Sequence, residues 1–133
     1  MKKQSPFLFL ICLLMATTGC HQKPAKSVVL IPSSDNEVPS VYAEQGGTLE
    51  FKIDDGTPAG STFQVQFSQP VCDPNDNLSG TNTQPVTCHI TAQSGDYDVT
   101  IDETIAGIGS TPSRTVPPRR VKAYVRPCKI CNQ

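Results

Sequence analysis

From residue 27 onward, apolar and polar residues alternate along much of the chain, the period of a half-buried β-strand. Residues 27–31 (SVVLI) are a short β-branched run, and 38–43 follow with Pro39 near the start, which suits an edge strand. Gly46-Gly47 turns into Leu49, Phe51 and Ile53, with Glu50, Lys52 and Asp54 on the opposite face. Phe63, Val65 and Phe67 alternate with Gln64, Gln66 and Ser68, and Val86, Cys88 and Ile90 alternate with Thr87, His89 and Thr91. After a tight turn at Ser94-Gly95-Asp96 come Tyr97, Val99 and Ile101, and a last strand places Val121, Ala123 and Val125 on one face. That makes seven short strands and no amphipathic helix.

One-sided strands of this kind bury their apolar faces most economically by packing two sheets together. The expected fold class is therefore all-β, a two-sheet antiparallel sandwich of about seven strands, immunoglobulin-like or cupredoxin-like. A small closed barrel is the alternative. The 133 residues suffice for one domain, and twelve Pro with nine Gly fit a turn-rich β chain. Aromatics are 6% of the sequence and Trp is absent, so the core must come mainly from Val, Ile, Leu and Phe.

The N-terminal segment reads differently. Lys2 and Lys3 precede an unbroken apolar run at 7–16 (FLFLICLLMA), the layout of a secretory signal. A membrane-spanning helix needs roughly 20 apolar residues, so this run is short for a permanent span. It leads into Thr17-Thr18-Gly19-Cys20, which resembles the lipobox of bacterial lipoproteins, with Thr17 where that family usually has an aliphatic residue. The resemblance implies cleavage between Gly19 and Cys20, lipid on Cys20, and anchoring by several acyl chains, where one chain alone holds only marginally. His21 rather than Asp after the Cys implies, by the same resemblance, the outer membrane, with the domain facing the periplasm or the cell surface. The organisation expected is signal peptide 1–19, lipidated N-terminus and polar tether 20–27, and a β-sandwich domain 28–133.

Cys12 leaves with the signal and lipid occupies Cys20, so Cys72, Cys88, Cys128 and Cys131 remain, an even number in an oxidising compartment. Four Cys allow three connectivities. The pairing favoured is Cys72–Cys88 with Cys128–Cys131, and cross-pairing between the two sets stays open. Cys128-Lys129-Ile130-Cys131 is a C-x-x-C, and redox motifs of this form take a low thiolate pKa from the start of a helix, which Asn132-Gln133 cannot form. Cys128 and Cys131 with Cys72 or Cys88 would also offer sulfur ligands to a metal, although structural zinc usually uses two closely spaced pairs. Disulfides are the expectation. A thiol or metal-binding periplasmic protein using the C-x-x-C is the alternative function.

Charge is unevenly spread. All twelve acids and one base, Lys52, fall within 35–103, whereas 104–133 carry no acid and six bases: Arg114, Arg119, Arg120, Lys122, Arg126 and Lys129. Either these cations pair with acids of the same fold or they form a face for an anionic partner, lipid or glycan. The formal net charge of −1 gives no reason to expect nucleic acid.

Catalytic and cofactor signatures are lacking. A blue-copper site takes two His, one Cys and usually a weak axial Met, but the segment after Cys20 has no Met and His21 lies in the tether. Asp73, Asn75, Asn77 and Ser79 space like the first half of a calcium loop, without Gly at its sixth position and with Gln84 at its twelfth. Nucleophilic catalysis would need a base near a Ser or Cys, and His89 is the only His of the domain, on a polar strand face. The acidic pairs Asp54-Asp55 and Asp102-Glu103 read as solvated charge beside turns. No enzyme, no cofactor and no metal are expected. The expected role is a binding or structural module of the cell envelope, for an envelope protein or a glycan, using the loops 54–61, 73–85 and 103–118.

Overall fold

The computed structural model describes residues 25–33 and 37–128. The signal segment, Cys20, Lys129 and Cys131 lie outside the described residues. Nine strands form: β1 (Lys26–Ile31), β2 (Val41–Glu44), β3 (Thr48–Ile53), β4 (Thr62–Phe67), β5 (Cys72–Asp73), β6 (Asn77–Thr81), β7 (Val86–Ile90), β8 (Gly95–Ile105) and β9 (Arg114–Arg126). They build a four-stranded sheet in the order β1-β3-β7-β5 and a five-stranded sheet in the order β2-β9-β8-β4-β6. The fold is the two-sheet β-sandwich expected, and no helix forms among the described residues.

Each alternating run buries the face its pattern assigns. Leu49, Phe51 and Ile53 of β3 face Phe63, Val65 and Phe67 of β4, and the Phe51 and Phe67 rings meet edge-on at 6.2 Å between centroids. Ile90, Val99, Ile101, Ala123 and Val125 complete the interior. Cys72 and Cys88 are buried and disulfide-bonded to each other, as the favoured pairing has it. In the chain-entropy account, closing a loop of that length stabilises the fold by about 3 kcal/mol.

Three local features differ from the sequence expectation. The sheets are mixed: β1 pairs parallel with β3, and β2 pairs parallel with β9, while the other ladders are antiparallel. The polar segment 73–85 contains β5 and β6, because Leu78 and the side-chain-free Gly80 alternate inward beneath Phe63. The long loop 103–118 shrinks to 106–113, since β8 runs through Ile105 and β9 begins at Arg114.

Register gives the sandwich two distinct ends. β1 and β3 start together at Lys26 and Thr48, beside the end of β2 and β9 at Glu44 and Arg126. Ala25 is tied there, donating to Glu44 Oε2 at 3.4 Å and accepting from Thr48 N at 3.4 Å. The turns 45–47, 68–76 and 91–94 share this end. In the first of the longer turns, Asp76 Oδ1 accepts from both Val71 N and Cys72 N, at 2.6 and 2.7 Å. The segments 54–61, 82–85 and 106–113 lie at the opposite end.

Candidate functional site at the loop end opposite Ala25

Ser61 organises the loop end. Its hydroxyl is buried, donates to Pro58 O at 2.7 Å and accepts from Ala106 N at 2.9 Å, so one side chain joins the first and third loops. Asn82 adds the middle loop, donating its N–H to Ser61 O at 3.0 Å and accepting from Gly60 N at 3.2 Å. Gly60 has a φ of 90°, a backbone region that side chains disfavour. At Gly107 the chain passes so close to the Thr111 carbonyl that a Cβ would collide with it. Thr111 N donates to Ile108 O at 3.1 Å, closing a turn that leaves Ile108 71% exposed at its tip.

A shallow cavity of about 700 Å³ lies behind that tip, walled by Pro58, Ile105, Ala106, Ile108 and Pro112 with Arg114 at its edge. A second, of about 540 Å³, lies on the outer face of the larger sheet. Its floor holds a row of four threonines from four adjacent strands, Thr81, Thr62, Thr104 and Thr115, set side by side by the ladder registers. Gln64, Ser79 and Asp102 form the next row. The end therefore offers an apolar tip and groove beside an array of hydroxyls and amides, which is recognition chemistry. His89 lies on β7 of the other sheet, paired with Thr48 at the Ala25 end, away from these hydroxyls.

Of the three sequence-nominated loops, 54–61 and the shortened 106–113 meet here. The segment 73–85 is divided, its 82–85 part at this end and its 73–76 part at the other. Asn75 Oδ1 of the calcium-like spacing accepts from Asn77 N at 3.0 Å, and Ser79 stands on β6.

The five C-terminal cations among the described residues do not make one face, and Lys129 lies outside them. Arg119 points inward, ion-paired with Glu103 and donating to Pro32 O at 3.2 Å. Lys122 bonds Asp98 at 2.5 Å, and this hydrogen bond and the Asp98 charge hold its pKa above the usual lysine value. The Arg126 guanidinium lies 5.4 Å from the centre of the Tyr42 ring, while Arg114 is at the loop end and Arg120 is exposed on β9. Glu103, expected to be solvated, has a fully buried side chain. Alternation carries it there, since Val99, Ile101 and Glu103 share the buried face of β8. A bulge in the neighbouring strand lets both Arg119 and Val116 turn inward: Ile101 pairs with Arg119 but Glu103 with Val116, so Pro117-Pro118 oppose Asp102 alone and shift the phase of β9. Burial pushes the Glu103 carboxyl above its usual pKa, against the pull of Arg119 and, more weakly, Arg114.

The sulfurs of Cys72 and Cys88 are joined to each other, and Cys128 is disulfide-bonded with its partner outside the described residues. None of the three is a thiolate that could hold a metal in this state.

No family model and no curated protein matches this sequence. Among solved structures, the chain resembles the crystal structure of a cysteine protease inhibitor from Entamoeba histolytica, with a TM-score of 0.45 and 6% sequence identity over 77% of this chain and 99% of that one. That neighbour is an inhibitor and not an enzyme, and a likeness this slight carries no argument about partner or activity.

Proposed function

We propose that this chain is a bacterial lipoprotein, anchored at Cys20 to the outer membrane, whose disulfide-bonded β-sandwich is a non-enzymatic binding module of the cell envelope. The observation that carries the reading is the position of Ala25. The lipobox-like Cys20 stands five residues before it, and Ala25 enters the sandwich at the end opposite the apolar tip and threonine row. An extended tether of that length reaches at most about 20 Å. A lipid on Cys20 therefore holds the Ala25 end near the bilayer and turns the recognition end outward. A protein or glycan of the envelope is the class of partner that such an end would meet.

The test is fractionation of cells expressing the full chain or Cys20→Ala. The wild type is expected in the membrane fraction, extracted only by detergent, with an intact mass showing acyl chains on an N-terminal Cys20. Cys20→Ala is expected to be released or to keep its signal segment. Membrane retention of a cleaved Cys20→Ala protein at the wild-type level would overturn the anchor.

A further inference from the structure

We infer that the edge of β1, unpaired among the described residues, is a docking site for one extended segment of a partner protein, which adds to the four-stranded sheet as a fifth strand. β1 and β2 each end their sheet, and they run along the same side of the sandwich. Of the four large apolar side chains exposed among the described residues, three gather there: Val28 at 52%, Leu30 at 49% and Tyr42 at 54%. A groove of about 320 Å³ separates Val28 and Leu30 from Pro39 and Tyr42. It continues past Ser27 and Tyr42 into a second cavity of about 420 Å³, bounded by Ala25, Glu44 and Arg126. The far wall is built rather than loose: Tyr42 stacks on Tyr124 with 5.3 Å between ring centroids, and the Arg126 guanidinium approaches the same ring.

The two edges are not equivalent acceptors. Pro39 precedes β2 and lacks the N–H that strand addition uses. β1 has no Pro and no bulge, and its one charge, Lys26, stands at the start of the strand and is paired with Glu50 at 2.6 Å, so the stretch 27–31 lacks the usual defences of an exposed edge. Its outward-facing backbone groups match another peptide backbone, the basis of strand addition, and Val28 and Leu30 favour apolar residues at alternate positions of the incoming segment.

Geometry selects a partner's segment over a second copy. Closed two-fold pairing of β1 with itself is antiparallel, so the two Ala25 ends would point in opposite directions. Such a pair would turn the 106–113 end of one copy toward the membrane that holds the other by its Ala25 end, an exclusion that rests on the anchoring reading above. The size agrees, because β1 is about 20 Å long and one strand wide. Stable folded partners commonly bury about 800 Å² a side.

The probe is a fluorophore-labelled alternating valine–threonine hexapeptide with a terminal lysine, titrated against the detergent-solubilised full chain and read by anisotropy. Saturable binding is expected, and the same peptide N-methylated at alternate residues should bind at least about tenfold more weakly. Val28→Lys with Leu30→Lys, both outward-facing, should weaken binding to the same degree, whereas Gln66→Lys on the other sheet should leave it unchanged. Equal binding of the methylated peptide, indifference to the β1 substitutions, or no saturation by about 1 mM would each overturn the proposal. So would a peptide-independent dimer in sedimentation that the β1 substitutions dissociate, which gives the edge to a second copy. The titration needs no lipid, so its failure is distinct from a failure of the Cys20→Ala fractionation.

Discussion

Glu103 and Arg119 face each other across neighbouring strands in the interior, where an isolated charge is expensive. Removing one partner from such a pair typically costs about 3–5 kcal/mol, whereas replacing both with apolar residues of similar volume is often close to neutral. The carboxyl adds a pH signature. Its folded pKa is raised by burial above the ordinary value of 4.5, so its contribution to stability is fully present below that value and is lost as pH rises through the folded pKa. The unfolding free energy of the wild type minus that of Glu103→Gln should therefore fall as pH rises from below 4.5, in urea titrations at successive pH values. A difference that stays flat or grows with pH would refute this. Half of the pair was legible in the chain: Tyr97, Val99 and Ile101 continue to Glu103, and Val121 stepped back by two reaches Arg119, opposite charges on two apolar faces. The other half was not, because only the register shows that Pro117-Pro118 change the phase of β9 and bring the two together.

Among the elements, the loop 106–113 is the most constrained by its own backbone. Gly107 has no room for a Cβ, since the Thr111 carbonyl occupies that place, and Gly109 has a φ of 62°. Gly107→Ala should lower stability by about 1–3 kcal/mol, the range for forcing extra volume into a packed site. Gly56→Ala meets open space and should be neutral or stabilising by up to about 1 kcal/mol. Urea midpoints compare the two variants, and equal midpoints would mean that the loop is not the rigid mount described. Hydropathy marked the strands that carry two or more large apolar residues and missed β6, whose inward positions are Leu78 and Gly80. The parallel pairing of β1 and β2 left no trace in the pattern either, because alternation reads the same in both strand directions.

At the scale of the molecule, the chain's organisation is an axis. β8 runs from the Ala25 end to the loop end over eleven residues, about 35 Å of strand. Its two ends differ in chemistry, with Ala25 bound at one and the apolar tip beside the threonine row at the other. That polarity was only partly readable, since the sequence named the loops but not which of them share an end, a matter of register alone. If Cys20 carries the lipid, the axis stands away from the membrane, and access to the two ends should differ. Ser94, in the turn before β8, and Ser110, in the 106–113 loop, are both exposed. Each replaced singly by Cys gives a comparable thiol at opposite ends, because the described cysteines are disulfide-bonded. A bulky polymer-linked maleimide should label Ser110→Cys equally fast in membranes and in detergent. Ser94→Cys should react more slowly in membranes, because the bilayer and the short tether crowd that end. Detergent should remove the difference, which separates crowding from any intrinsic contrast between the thiols. Equal membrane rates would refute this orientation, and slower labelling at Ser110→Cys would place the loop end toward the bilayer and reverse the assignment of the recognition surface.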